Sequence, residues 1–305
     1  MARYEMMKIL YYFLRDRYIE SQINSKDKLQ NYQNKKIEHF LKQICTHSLF
    51  YQEFFGQALD VFPIMNKEMM QENLSLINTA GLNADKMMAF ILEQHKKSTS
   101  HSDYKGHTVG LSSGTTGRAS LFVVSPKERD IWSGIMLSKA LKGLPLQKHK
   151  IAFCFRNNNN LYKNIKNLFI DIMFIDIANG ADKIVEDLLA YQPTILVAPA
   201  RVLSLLPQYM NENAIQPQKV FSVAECLEED SADRLKSYFK QDISEIYQCT
   251  EGFLGITDPA SGKIILNEMY IHVEKEWIDE KSSFRLLLIL QGLLSLLLDT
   301  DYQIF

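Results

Sequence analysis

Residues 181–200 read ADKIVEDLLAYQPTILVAPA, in which a helical stretch over 181–191 is followed, after Gln192 and Pro193, by a short apolar run. Apolar residues in 181–191 recur at helical spacing, whereas TILVAPA (194–200) is continuously apolar and short. A continuous apolar run of this kind is typical of a strand that is buried on both faces of a sheet. The stretch therefore predicts a helix–strand unit of an α/β protein.

The same alternation extends along the chain on both sides of this unit. Helical stretches recur at 127–142 and 230–240. The other β-type runs are TVGL (108–111), SLFVVS (120–125), KIAFCF (150–155), LFIDIMFID (168–176), KVFSVAE (219–225) and EIYQC (245–249). We therefore expect an α/β nucleotide-binding core over residues 105–285, built on a largely parallel sheet.

A helical segment is expected to precede this core, over residues 1–100. Residues 3–45 carry apolar positions at helical spacing and no Gly or Pro, which predicts one or two long helices. In 62–82, FPIMNKEMMQENLSLINTAGL, a Pro near the start and a Gly near the end predict another helix. The polar run EQHKKSTSHSDYKGH (93–107) predicts an exposed loop.

Composition excludes several classes of protein. A chain of 305 residues can bury a large core, and a net charge of −2 predicts no nucleic-acid partner. The four Cys are scattered, without metal-ligand or disulfide spacing, so we expect a cytoplasmic protein. No run reaches the roughly 20 apolar residues of a membrane span, and no signal peptide is recognisable at the N-terminus, so we expect no membrane partner.

A loop of small residues lies in VGLSSGTTGRASLFVVS (109–125). Its residues 112–117 are all Ser, Thr or Gly, a composition that typically surrounds an anion such as phosphate with backbone N–H groups. A loop without a ligand is the simplest alternative. A Walker-type P-loop would need Gly-Lys-Ser or Gly-Lys-Thr where this chain has Thr-Gly-Arg.

A serine hydrolase is another alternative, because GLSSG (110–114) matches the Gly-x-Ser-x-Gly nucleophile elbow with Ser112 as nucleophile. That elbow joins a strand directly to a helix. Here a strand-like run, SLFVVS, follows the loop instead, so the sequence argues against a hydrolase.

A second motif, YQCTEG (247–252), stands at the end of the strand-like run EIYQC. Together the two motifs resemble the signature pair of adenylate-forming enzymes, in their phenylacetate–CoA ligase-like branch. The resemblance is nearest to a subgroup related to the synthetase that adenylylates a deazaflavin coenzyme. It covers roughly residues 60–284 and includes FPIMNKE, SPKERDIWSG, VFSVAECLEED, IYQCTEGFLG, IILNE and VEKEWID.

The resemblance implies that ATP and Mg²⁺ are cofactors, and it assigns roles to individual residues. The loop that wraps the β- and γ-phosphates comprises Ser112, Ser113, Gly114, Thr115, Thr116 and Gly117. The catalytic residues would be Thr115, Arg118 as a cation at the end of the loop, Thr250 as a hydroxyl donor to the α-phosphate, and Glu251 as the Mg²⁺ ligand. Tyr247 would stack on adenine, and Ala224 and Glu225 would contact its edge.

The activity implied is ATP-dependent adenylation of a small-molecule carboxylate, which forms acyl-AMP and pyrophosphate. The acyl group would then pass to a thiol, either of coenzyme A or of a carrier protein. A catalytically defective nucleotide-binding remnant of such a ligase is the alternative. In the family a ribose-binding acid and a mobile C-terminal domain with a catalytic Lys follow, and neither can be identified in this chain.

The last residues, LLLILQGLLSLLLDTDYQIF (286–305), are unlike the rest of the chain. Ten of the thirteen residues from 286 to 298 are Leu or Ile. The family resemblance suggests a continuation such as FTRTTQPIVRYRL. Codons can be chosen for this continuation so that a reading frame shifted by one nucleotide encodes LQGLLSLLLDTD. Residues 290–301 have this sequence. We therefore predict that the tail is a frameshift product and that the intact frame encodes the missing domain. A genuine short amphipathic or membrane-touching tail and a natural one-domain truncation are the alternatives.

Overall fold

The computed structural model describes residues 2–96, 103–112, 120–142, 147–155, 170–249, 252–258, 260–277, 284–290 and 298–300. The α-helices in these ranges are α1 (Ala2–Gln22), α2 (Lys26–His47), α3 (Lys67–Ile77), α4 (Ala84–Lys96), α5 (Pro126–Ala140), α6 (Ala181–Tyr191), α7 (Ala200–Tyr209) and α8 (Glu229–Phe239). None of them combines the length and the apolar composition that crossing a membrane requires.

The described strands form three sheets. Their bounds are β1 (Asp103–Tyr104), β2 (His107–Leu111), β3 (Leu121–Val124), β4 (His149–Phe155), β5 (Ile170–Asp176), β6 (Ile195–Pro199), β7 (Lys219–Val223), β8 (Ile243–Cys249), β9 (Gly252–Thr257), β10 (Ile264–Leu266), β11 (Ile271–Trp277), β12 (Phe284–Leu290) and β13 (Leu298–Thr300).

The largest sheet has seven strands in the order β10-β9-β8-β7-β6-β4-β5. Parallel pairing runs through β5, β4, β6, β7 and β8, and β10 pairs antiparallel with β9. All five residues of β6 are buried, as a strand covered on both faces requires. The fold is therefore α/β with a largely parallel sheet, which confirms the predicted class.

A hydrophobic core packs α6, α7 and α8 against one face of this sheet. Its fully buried members include Leu188 of α6, Leu203 of α7, Leu235 of α8 and Val220 of β7. Burial in this core raises the pKa of the Cys154 thiol to about 12, so the thiol stays protonated at neutral pH. Helix α7 was not among the predicted helices, because Pro199 precedes it and Pro207 lies within its last turn.

The N-terminal helices follow the sequence predictions with two differences. Residues 3–45 form two helices, α1 and α2. Helix α3 begins at Lys67 and not at Pro63, because the Asn66 side chain accepts a hydrogen bond from the N–H of Met69 at 2.8 Å. The predicted loop over 93–107 is wrong in part, since α4 continues to Lys96, β1 lies within the range and β2 begins at its last residue.

The chain divides into two compact units. The first contains the described residues of 1–13, 133–249 and 253–266, and so holds the large parallel sheet. The second contains those of 14–132, 250–252 and 267–305, and holds the sheets β1-β2-β3 and β11-β12-β13. In the latter sheet the Leu-rich residues of β12 pair with β11 and β13, while the origin of the tail stays a prediction.

Candidate nucleotide-binding site

The first element of the candidate site is a strained turn at the carboxyl end of β7. Ala224 directly follows this strand and has φ +64°, in the left-handed region that an alanine rarely adopts. An L-residue with a Cβ pays roughly 1–2 kcal/mol for this conformation. Ala224 is also exposed, and strained residues of this kind cluster at binding and catalytic sites.

Glu225, the next residue, is bonded to the start of the neighbouring helix. Its Oε1 lies 3.2 Å from Arg201 Nε, and its Oε2 accepts the backbone N–H of Arg201 at 3.1 Å. Arg201 is the second residue of α7, where backbone N–H groups have no partner within the helix. The carboxylate therefore caps α7 and complements its dipole.

The second element is β8, the neighbour of β7 in the sheet. The parallel register pairs Ser222 with Glu245 and Val223 with Ile246, so Ala224 and Tyr247 are the next positions along the two strands. Side chains alternate along a strand, so Tyr247 points to the same face as Glu245. The structure thus brings two of the predicted adenine-side residues next to each other.

Glu245 of β8 also contacts the connection between β7 and α8. Its Oε1 accepts the backbone N–H of Leu227 at 3.1 Å, and its own N–H donates to Thr257 Oγ1 at 2.8 Å. Sequence reasoning missed both Arg201 and Glu245. They lie 24 and 18 residues from their partners, a separation at which a local pattern carries no signal.

The residues predicted to contact the phosphates and the metal lie mostly outside the described part of the chain. Thr250 and Glu251 follow Cys249, the last residue of β8, and are not described. The same holds for most of the small-residue loop, namely Ser113, Gly114, Thr115, Thr116, Gly117 and Arg118. Their assigned roles stay predictions.

Ser112, the first residue of that loop, is described, and it closes a β-hairpin. Its backbone N–H donates to the carbonyl of Ser120 at 2.8 Å, and its Oγ accepts the N–H of Ser120 at 3.0 Å. The next described element is β3, which pairs antiparallel with β2. A nucleophile elbow is followed directly by a helix, whereas the described chain resumes at Ser120 and enters a strand, which argues against Ser112 as a hydrolase nucleophile.

A side chain of α3, Gln71, binds the backbone at the start of β3. The Gln71 amide donates from Nε2 to the carbonyl of Leu121 at 3.0 Å, and its Oε1 accepts the N–H of Leu121 at 2.8 Å. Among the described strands β3 lies at the edge of its sheet, and Gln71 takes the place of a neighbouring strand at the first residue of β3. Sequence reasoning missed Gln71 also, since 50 residues separate it from Leu121.

The described residues contain no group of three or more His, Cys, Asp or Glu side chains that could hold a metal ion by themselves. A Mg²⁺ ion bound with a nucleotide usually takes only one or two protein carboxylates, with phosphate oxygens and waters as the other ligands. The donor set predicted from the sequence, Glu251 alone, fits an ion bound in this way.

No protein-family model matches the sequence, and neither does any curated protein. The structure is similar to that of 2-hydroxyisobutyryl-CoA ligase in an open conformation in complex with 2-HIB-AMP and CoA, with a TM-score of 0.63 and 10% sequence identity. The match covers 90% of this chain and 65% of the ligase. The same ligase in its thioesterification state, with 2-HIB-AMP and CoA, gives a TM-score of 0.61 at 13% identity.

This similarity concerns the fold. In the thioesterification state the match covers 90% of this chain and 63% of the ligase, so the chain spans less than two thirds of the ligase's length. A shared architecture at such identities does not by itself transfer an activity, because one fold supports many functions. The chain therefore has an α/β fold similar to that of a CoA ligase.

Proposed function

We propose that this chain binds ATP with Mg²⁺ and is the nucleotide-binding core of an enzyme that adenylates a carboxylate, in the phenylacetate–CoA ligase-like branch of the adenylate-forming enzymes. The observation that carries the proposal is the position of the strained Ala224 and of Tyr247, which directly follow the last register pair, Val223 with Ile246, of two adjacent parallel strands. Ligands of open α/β sheets bind at this edge. The motif Tyr-x-x-Thr-Glu-Gly begins at the same place.

The comparison with solved structures supports the proposal. The ligase of similar fold was solved with 2-HIB-AMP and CoA, an acyl adenylate together with a thiol acceptor. By analogy of fold, a small-molecule carboxylate is the proposed substrate, and a thiol of coenzyme A or of a carrier protein is the proposed acyl acceptor.

The proposed reaction needs negative charge to be neutralised. A carboxylate attacks the α-phosphorus, and pyrophosphate leaves in line with it, so catalysis consists mainly of positioning and electrostatic stabilisation. The Ser/Thr/Gly loop with Arg118 would bind the departing phosphates, and Thr250 would donate to the α-phosphate. Glu251 would hold Mg²⁺, and the ion would supply positive charge that offsets the charge of the phosphates.

A titration with ATP and AMP tests this assignment. Thr115→Ala is expected to weaken ATP binding about tenfold or more in the presence of Mg²⁺, since a hydrogen bond to a charged phosphate contributes roughly 1.5–3 kcal/mol. Affinity for AMP should stay unchanged, because AMP lacks the β- and γ-phosphates.

Thr46→Ala is the matched control, since Thr46 is exposed on α2 and its hydroxyl donates to the carbonyl of Lys42 within the same helix. Calorimetry on the three proteins gives the affinities. The assignment is wrong if the wild-type chain binds no ATP, or if Thr115→Ala binds ATP as tightly as the control.

A further inference from the structure

The connection from β7 to α8, residues 224–228, is tied to its surroundings at two points. The carboxylate of Glu225 is bound twice by Arg201, and the N–H of Leu227 is bound by Glu245. The strained Ala224 lies between the end of β7 and the first of these ties. The contacts of Arg201 therefore act on Glu225, the residue that follows the strained Ala224.

A left-handed alanine persists only where its surroundings determine the conformation. Arg201 contacts one carboxylate twice, by an ion pair from its Nε and by a hydrogen bond from its backbone N–H, and the two contacts restrain both the position and the direction of Glu225. The side chains of Arg201 and Glu225 are 63% and 33% exposed, so their ion pair contributes little to the stability of the fold.

We propose that Arg201 is a positioning residue that acts through Glu225 and makes the site selective for adenine over other purines. This inference rests on the proposed function. Arg201 holds the backbone of residues 224–226 in the one conformation that hydrogen-bonds to the edge of the base. Adenine presents an N6 amino donor there, and hypoxanthine presents a carbonyl acceptor in the same place. Discrimination between adenine and hypoxanthine requires protein donors and acceptors in a fixed orientation, because hydrogen bonds weaken steeply with misalignment.

The test compares binding of ATP, ITP and tripolyphosphate to the wild-type chain and to Arg201→Met. Methionine keeps an unbranched side chain and the backbone N–H but removes the guanidinium. The preference for ATP over ITP is expected to fall about fivefold to tenfold, the equivalent of one lost hydrogen bond. Affinity for tripolyphosphate, which has no base, should stay within about twofold.

Arg234→Met is the matched control. Arg234 is exposed on α8, and its Nη2 donates to Ser231 Oγ on the same helix at 3.0 Å. The control should keep the wild-type preference for ATP.

A second variant separates positioning from direct contact. Glycine adopts the left-handed conformation freely, so Ala224→Gly should make the turn less dependent on Arg201. In the Ala224→Gly background, Arg201→Met is expected to reduce the preference for ATP by less than half of the factor seen in the wild-type background. This coupling would not arise if Arg201 only stabilised the fold.

Each outcome decides one of the two claims. An unchanged ATP-to-ITP ratio in Arg201→Met, or an equal loss for all three ligands, overturns the positioning role and leaves ATP binding in place. Equal affinities of the wild-type chain for ATP and ITP would also overturn the positioning role and leave ATP binding in place. A wild-type chain that binds none of the ligands overturns the proposed function and, with it, this inference.

Discussion

Glu251→Gln is expected to weaken binding of Mg²⁺–ATP by on the order of a hundredfold, equivalent to about 2.7 kcal/mol. The variant keeps the size and polarity of the side chain but removes the negative charge that a hard cation requires of its ligand. Calorimetric titration with excess Mg²⁺ and, separately, with EDTA measures the effect. The difference between Glu251→Gln and the wild-type chain should be confined to the titration with Mg²⁺.

Glu229→Gln is the matched control for this prediction. Glu229 is exposed in the first turn of α8 and lies outside both predicted motifs. The control should bind Mg²⁺–ATP like the wild-type chain. If Glu251→Gln loses the same affinity in EDTA as in Mg²⁺, the carboxylate does not act through the metal, and its assignment as the ligand is wrong.

Leu203→Ala is expected to lower the free energy of unfolding by about 2–5 kcal/mol, the range of large-to-small substitutions at well-packed core positions. Leu203 is fully buried where α7 packs on the large sheet. The same helix carries Arg201 near its start, so a disturbed α7 should also change the turn at Ala224. Urea denaturation followed by circular dichroism measures the loss.

Leu189→Ala controls for the loss of a leucine from a helix, because Leu189 of α6 is 41% exposed. Its effect should be within about 1 kcal/mol, as for most exposed positions. A loss for Leu203→Ala no larger than that of the control would mean that α7 does not pack against the sheet as described.

The elements that were predicted from the sequence are those that local periodicity determines. The predicted helix over 181–191 coincides with α6, and the apolar run 194–200 contains β6. Helical and strand spacing are properties of neighbouring residues, so a short window is enough to recognise them. Helix α7 was missed because Pro207 lowers the local helix propensity, while burial of Leu203 and Leu206 in the core compensates for that cost.

The contacts that shape the candidate site depend on residues far apart in the sequence. The bonds of Glu225 to Arg201 and of Gln71 to Leu121 join different elements, and no periodic pattern marks them. The strain at Ala224 is equally invisible in the sequence, because alanine has no preference for the left-handed region. By contrast, the motif residues Ala224 and Tyr247 are singled out by resemblance, and in the structure they directly follow the paired residues Val223 of β7 and Ile246 of β8.

Photo-crosslinking with 8-azido-ATP, followed by peptide mass spectrometry, tests most directly whether a nucleotide binds at the carboxyl ends of β7 and β8. Labelling is expected in peptides that contain residues 223–226 or 247–249, and unlabelled ATP with Mg²⁺ is expected to suppress this labelling. Labelling that ATP does not suppress, or ATP-sensitive labelling confined to other parts of the chain, would contradict it.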